Sequence, residues 1–246
     1  MTTSRVWFCT FGDSLRYRSS LCRIQQEAWM FQNALVFDEV CVYNERMLDD
    51  AFLQKSKTMN CRGYGYWSWK PQIVLQTLKK MNDGDVLVYS DAGTHLNLGG
   101  LEKMKGYIEL ARTHDTHNIA FQMPHVEEMW NKMDLLARYP SAMQTEKHPW
   151  QTGQYAACAF VLQKTHQTVK MVEEWLEVCL DRHLIDDTPS VLPNHSDFKE
   201  HRHDQSAWSL IRKKYGSAVL SDETWPCDGQ WDLAHEYPFQ AMRIRM

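Results

Sequence analysis

The order of apolar and polar positions along the chain predicts alternating strands and helices. Arg5 to Thr10 is a compact β-prone run that ends at Phe11-Gly12-Asp13. Ser20 to Phe31 then places Leu21, Ile24, Ala28 and Phe31 at helical intervals, and Glu39 to Tyr43 reads as a second strand. Pro71 stands in the first turn of the next predicted helix, where a missing N–H costs nothing, and Ile73, Leu75, Leu78 and Met81 mark its buried side. Asn82-Asp83-Gly84 stops that helix, and Asp85 to Ser90 is the clearest strand in the chain. Further on, the spacing predicts a helix over Leu101 to Ala111, a short strand over Ile119 to Gln122 and a strand over Tyr155 to Leu162. Helices follow over Gln167 to Leu180 and Asp204 to Tyr215, the second with Gly216 as its stop signal. Residues 182–201 are polar and carry two prolines, which predicts a long loop of the kind that often serves as a lid or binding loop. No repeat or low-complexity stretch interrupts this order. The expected fold is one Rossmann-like α/β domain over residues 1–246, with a mainly parallel mixed sheet and helices on both faces.

Composition narrows the function classes. The 246 residues are 43% hydrophobic and 24% charged, enough apolar content for a packed domain rather than a disordered chain. Lys plus Arg number 27 against 31 for Asp plus Glu, giving a formal charge of −4 with no basic run, which argues against a nucleic-acid partner. Purely apolar runs stay far below the length that crosses a bilayer, so no membrane span is expected. The first residues lead into no apolar core of signal-peptide length. Seven scattered cysteines without a Cys-x-x-Cys pair then predict reduced thiols in a cytoplasm.

Three segments can carry chemistry. In the first, the strand over Asp85 to Ser90 delivers Asp91 to its carboxyl end, followed by Ala92 and Gly93. That edge of an α/β sheet is where ligands bind, and a carboxylate there can hold a hard cation, although Asp and Gly are also ordinary turn residues. The second is Arg62-Gly-Tyr-Gly-Tyr-Trp-Ser-Trp-Lys-Pro71, whose aromatics suit a sugar or base platform and whose Lys70 offers a point charge to phosphate. A buried aromatic cluster capping the sheet explains Trp67 and Trp69 equally well. The third is Glu200-His-Arg-His-Asp-Gln-Ser206, where imidazole and carboxylate can ligate a metal or move a proton, but where Asp204 also stands at an N-cap position. No phosphate-binding Gly-rich loop and no nucleophile elbow is present.

Together these segments resemble the GT-A glycosyltransferases, in particular small enzymes of bacterial and large-virus surface-glycan synthesis. The matching pieces are the Arg62–Pro71 stretch, Asn82-Asp-Gly-Asp-Val-Leu-Val-Tyr-Ser-Asp-Ala-Gly93, Ala120-Phe-Gln-Met-Pro124, Trp130-Asn-Lys-Met-Asp-Leu135 and the Glu200–Ser206 stretch. They keep this order over residues 62–206, so the resemblance covers most of the chain.

The resemblance implies a nucleotide-diphosphate sugar donor (a UDP-sugar first), a glycan or other hydroxyl acceptor, and a divalent cation, Mn2+ or Mg2+. The family's Asp-x-Asp is here Asp91-Ala92-Gly93, so the second acid is missing. Carried over by position, Asp204 and His203 are the expected catalytic pair. Thr10, Tyr66, Trp69, Lys70, Asp91 and Gln205 are the expected donor contacts, and Asp91 and His203 the expected metal ligands. The donor-binding half is expected over about residues 1–100 and the acceptor and catalytic half over about 101–246. A cation and Lys70 would stabilise the leaving diphosphate, and Asp204 or His203 would serve an inverting enzyme as base. A metal-dependent hydrolase or nucleotidyltransferase, or a non-catalytic glycan-binding protein, are the alternative readings.

Overall fold

The computed structural model describes residues 4–56, 61–140, 149–226 and 230–244. Nine strands are present among them: β1 (Val6–Phe11), β2 (Glu39–Tyr43), β3 (Val86–Ser90), β4 (His95–Leu96), β5 (Asn118–Val126), β6 (Gly153–Tyr155), β7 (Ala159–Gln163), β8 (Ala218–Ser221) and β9 (Phe239–Gln240). Five long helices pack on them: α1 (Arg18–Asn33), α2 (Trp69–Lys80), α3 (Leu101–Thr113), α4 (His166–Leu180) and α5 (His203–Tyr215). Seven strands form one sheet in the order β2-β1-β3-β7-β5-β6, with β8 beside β5, while β4 and β9 make a separate pair. The sheet is mixed. Its parallel pairings are β1 with β2, β1 with β3 and β5 with β8, and β7 runs antiparallel to both β3 and β5.

Alternation along the strands sends side chains to two cores. Trp7, Cys9, Leu87 and Tyr89 face a core closed by α2, α4 and α5, and Phe8, Val86 and Val88 face one closed by α1 and α3. This gives helices on both faces of the sheet, as the sequence pattern predicts. The apolar stripe of α1 buries Ile24, Ala28 and Phe31 and leaves Leu21 partly covered. Pro71 is the third residue of α2 and still lies within the turn that needs no N–H from it.

Two strand expectations change. The predicted strand over Tyr155 to Leu162 breaks into β6 and β7 at residues 156–158, where the register against β5 shifts and β7 takes up a second pairing with β3. The break frees backbone carbonyls: Ala156 O accepts from Arg212 Nη2 at 2.7 Å and Ala157 O from Lys70 Nζ at 3.2 Å. The strand at Ile119 to Gln122 runs on to Val126, with a register shift against β6 that accommodates Pro124 and its missing N–H.

Trp175 of α4 ties this scaffold to the helix that follows the long loop. Its ring is fully buried, stacks on Trp208 of α5 at 4.2 Å, and donates from Nε1 to Asp204 O at 3.1 Å. Trp175→Ala should therefore lower unfolding stability by about 3–5 kcal/mol in urea titration, whereas Trp175→Phe, which keeps much of the volume, should cost clearly less. Equal losses would mean that the hydrogen bond, not the volume, dominates.

Candidate functional site

At the β1–β3 boundary the chain turns one way to β2 and the other way to β3, which makes a crevice at the carboxyl ends of these strands. Asp91 follows β3 directly at that edge and is 32% exposed. One buried cation organises it. Lys70, 3% exposed, lies in the first turn of α2 and places Nζ 2.8 Å from Asp204 Oδ2, 3.1 Å from Asp91 Oδ1 and 3.2 Å from Ala157 O. Two carboxylates and a carbonyl thus surround the ammonium. Lys70, expected to grip donor phosphate, is here held between two carboxylates from separate parts of the chain and a backbone carbonyl. Tyr89, two residues upstream on the same face of β3, donates its hydroxyl to Asp91 Oδ1 at 2.5 Å.

Asp204 is not a helix cap. Arg202 occupies the cap position without a capping side chain, and Asp204 is the second residue of α5, 6% exposed. Burial raises its carboxyl from 3.8 to about 6 although Lys70 pulls the other way, with Asp91 adding repulsion. Burial also opposes the charge of Lys70, but Asp204 and Asp91 outweigh it and hold the ammonium above its ordinary value.

Beside this bridge sits an aromatic box. Gly63, Tyr64, Gly65, Tyr66 and Trp67 all have positive φ, at 61°, 50°, 86°, 53° and 60°, so the segment is a left-handed turn. Non-glycine residues resist this by roughly 1–2 kcal/mol each. Glycine is required at position 63, where a Cβ would stand 2.4 Å from the Trp67 ring. The turn is held by Tyr66 N–H to Arg62 O at 2.8 Å and by Trp69 Nε1–H to Gly63 O at 3.0 Å. It brings Tyr66 and Trp67 onto the His203 ring at 5.4 and 5.1 Å. His203 Nε2 pairs with Asp187 Oδ1 at 2.8 Å, and Asp187, 45% exposed, also reaches Arg62 at 3.3 Å. Burial lowers the His203 pKa despite Asp187. Buried His201 lies next to it, pushed down to about 3, with Nε2 on Leu184 O and Nδ1 accepting from Lys132 N.

The long loop is anchored rather than free. Asp134 accepts from Val191 N and Leu192 N at 2.8 Å each and pairs with His183, while Lys132 Nζ holds His183 O and Asp186. A strap from the carboxyl-terminal region closes the other side. Ala241 N donates to Thr224 O, Ile244 N to Gly93 O, and Ser20 Oγ to Ile244 O.

Of the expected site residues, Lys70, Asp91 and Asp204 meet in one ion-paired group and Tyr66 meets His203, so the site draws on both halves of the chain. Gln205 is partly exposed beside them and donates to Gln154 Oε1 at 2.9 Å. Trp69 belongs to the core instead, stacked on Phe11 at 4.0 Å, because the turn folds it inward. Thr10 is fully buried on β1, and its Oγ1 has no hydrogen-bond partner among the described residues. Tyr89 was legible as the i−2 neighbour of Asp91. Asp187 and the strap carried no sequence signal.

A divalent cation needs several hard donors converging on one point. Among the described residues no three His, Cys, Asp or Glu side chains do so. Asp91 Oδ1 already accepts from Lys70 and Tyr89, Gly93 supplies no carboxylate, and His203 Nε2 faces Asp187. This donor set does not fit a chelated cation, and the expected ligands Asp91 and His203 are engaged elsewhere.

No protein-family model and no curated protein sequence matches the chain. Among solved structures it is similar to a glycosyltransferase involved in glycosylation of the major capsid of PBCV-1, with a TM-score of 0.51 and 8% identity over 96% of this chain and 91% of that one. Mouse xyloside xylosyltransferase 1 in its apo form gives 0.43 and 9% over 96% and 93%. The galactosyltransferase LgtC with donor and acceptor sugar analogues gives 0.42 and 12% over 95% and 86%. The first of these likenesses establishes the architecture: the chain has a GT-A-type fold.

The bridge predicts an asymmetry. Lys70→Met strands the buried carboxylate of Asp204 and the partly exposed one of Asp91 and should cost about 3–5 kcal/mol in chemical denaturation. Asp204→Asn should behave oppositely. Its folded pKa lies above the unfolded one, so the stability associated with its proton is present below pH 4 and lost as pH rises through about 6. Relative to wild type, Asp204→Asn should thus be neutral at pH 4 and more stable by ~1–3 kcal/mol at pH 7.5. A uniform loss at both pH values would make Asp204 a net stabilising partner.

Proposed function

We propose that the protein transfers a sugar from a nucleoside-diphosphate donor to a hydroxyl of a glycan or other acceptor. The observation that carries this reading is the Lys70 bridge, which holds Asp91 at the crevice edge and Asp204 behind it within a GT-A-type fold. Two carboxylates on one ammonium leave a net negative charge. Such a charge favours a reacting centre that becomes positive, and a sugar losing its phosphate develops oxocarbenium character.

In the proposed reaction the bond from the anomeric carbon to the phosphate oxygen breaks and its electron pair leaves with the nucleoside diphosphate. The acceptor oxygen bonds to that carbon, and its proton passes to a carboxylate of the pair or to the leaving phosphate. Asp91 presents its exposed edge to the sugar, and Asp204 and Lys70 fix its angle. The Tyr66, Trp67 and His203 box offers apolar ring surface of the kind that packs on sugar faces. Gln205, one residue past Asp204, is placed to hydrogen-bond a sugar hydroxyl. UDP-sugars are the first donors to test, with Mn2+ and Mg2+ as additives.

A nucleoside diphosphate that binds only the folded protein must raise its melting temperature, so a thermal-shift panel should show a rise with at least one such ligand. With a matching donor, Asp204→Asn should keep or gain stability and lose at least tenfold in kcat/KM. A variant that stabilises the fold and abolishes transfer is marked as functional. No shift with any nucleoside diphosphate, with or without metal, would overturn this reading, and release of free sugar without acceptor would favour a hydrolase.

A further inference from the structure

The net negative charge of the Lys70 bridge raises a problem for any phosphorylated ligand, because a diphosphate brought to the same edge is repelled. The fold places positive charge on the other side of that edge. Arg202 caps α5 two residues before Asp204, and its guanidinium lies 4.2 Å over the Trp130 ring. A guanidinium stacked by its face keeps its N–H donors in the plane, free to point at an anion. Arg202 Nη2 reaches Glu200 at 3.0 Å, whereas its Nε is buried without any hydrogen-bond partner among the described residues, an orphan donor in need of an acceptor.

Arg243 lies on the strap, with its Cα 3.5 Å from where a Gly93 Cβ would be, two residues past Asp91. It is exposed, lies 5.8 Å from the Trp225 ring, and makes no ion pair among the described residues. Residue 93 therefore has a consequence beyond the missing acid: without a side chain there, the strap passes close and sets an arginine beside the strand end. Arg62 joins from the left-handed turn through Asp187, whose carboxylate also holds His203, the neighbour of Arg202.

We propose that Arg202 and Arg243, with Arg62, form the binding site for a pyrophosphate group at the carboxyl end of β3, in place of a chelated cation. The identity of the full ligand rests on the glycosyltransferase reading, but the anion site does not. Its supports are the two indole-seated guanidiniums, the orphan Nε and the described acids' failure to converge. Electrostatics agrees. Burial presses down the Arg202 pKa, Glu200 raises it and Arg243 and Arg62 add to the lowering, while burial, Arg202, Lys199 and Arg243 press down that of His125 against a raising contribution from Asp222. In a chain of net charge −4, Arg243, which makes no ion pair among the described residues, can draw an anion to the crevice. The division of labour is chemical: carboxylates face the sugar carbon as it becomes positive, and arginines face the phosphates as they become more negative.

The test uses inorganic pyrophosphate and UDP as probes, by calorimetry in a chelating buffer and again with Mn2+. Arg202→Gln, Arg243→Gln and Arg243→Lys are compared with wild type and with Arg138→Gln, a remote surface arginine paired with Glu177. Melting temperatures of all the variants confirm folding. Pyrophosphate is expected to bind with chelator present, and each Gln variant at 202 or 243 to weaken it by roughly tenfold or more, as for a lost charge-assisted contact. Arg243→Lys should fall between, and Arg138→Gln should match wild type. Pyrophosphate binding that depends on Arg202 and Arg243, without any preference for UDP or another nucleoside diphosphate, supports the anion site and overturns the transferase reading. Binding that requires Mn2+ and ignores the arginine variants overturns the proposal and leaves the transferase reading standing. No pyrophosphate binding in either buffer overturns the anion site outright.

Discussion

One ammonium group facing two carboxylates and a carbonyl is the constraint on which the site depends. Lys70 cannot be buried without those acceptors, and the acceptors come from three places: the end of β3, the break between β6 and β7, and the first turn of α5, all met by the first turn of α2. Taking such a charge from water is costly unless each donor is satisfied, so the bridge forms only when these elements dock in one arrangement. The break in the predicted strand over Tyr155 to Leu162 follows from the same requirement. A continuous strand would commit the Ala157 carbonyl to a ladder bond, and Lys70 would lose its third partner.

The left-handed turn before α2 is the second price of the site. Tyr64, Tyr66 and Trp67 sit where side chains are disfavoured, and His203 at φ 55° joins them across the crevice. Strain of this kind survives only where the surroundings over-determine it, and it gathers at binding sites. Here Trp69 stacks on Phe11 and holds the turn through Gly63 O, so a core residue maintains the strained conformation that presents Tyr66 and Trp67.

The alternation of elements was legible because each long helix and central strand shows a clear pattern: α1 carries Ile24, Ala28 and Phe31 on one face, and Val86 to Tyr89 lacks polar alternation because both faces of the strand are covered. Asp91 and Asp204 were legible by position, one after a buried strand and one at the start of a helix. The role of Lys70 was not, since whether a lysine reaches phosphate or fills a buried gap depends on how deep its helix docks. Asp204 reads as a cap for a similar reason: helix boundaries shift by one or two residues, and that shift turns a solvent-facing cap into a buried ion-pair partner. Trp69 and Trp67 are two residues apart and chemically identical, yet only the left-handed turn decides that the first enters the core and the second lines the box. Asp187 and Arg243 lie in irregular segments, where no period announces a side chain's direction.

The charges around the crevice are sorted by side, and that sorting follows from the fold. Carboxylates reach the edge from within, Asp91 directly after β3 and Asp204 on α5, so burial fixes Asp204 and the ion pair with Lys70 holds the partly exposed Asp91. Guanidiniums reach it from outside, on the cap of α5, the turn and the strap; the Trp130 and Trp225 rings lie beside Arg202 and Arg243, and Glu200 and Asp187 pair with Arg202 and Arg62. A rigid inner acid pair suits a reacting carbon whose position must be held closely. An outer basic rim suits a leaving group that must depart after the bond breaks, since exposed contacts with a released diphosphate exchange readily with water and salt. Gly93 takes part in this sorting, since without a side chain there the strap passes close and sets Arg243 beside the strand end.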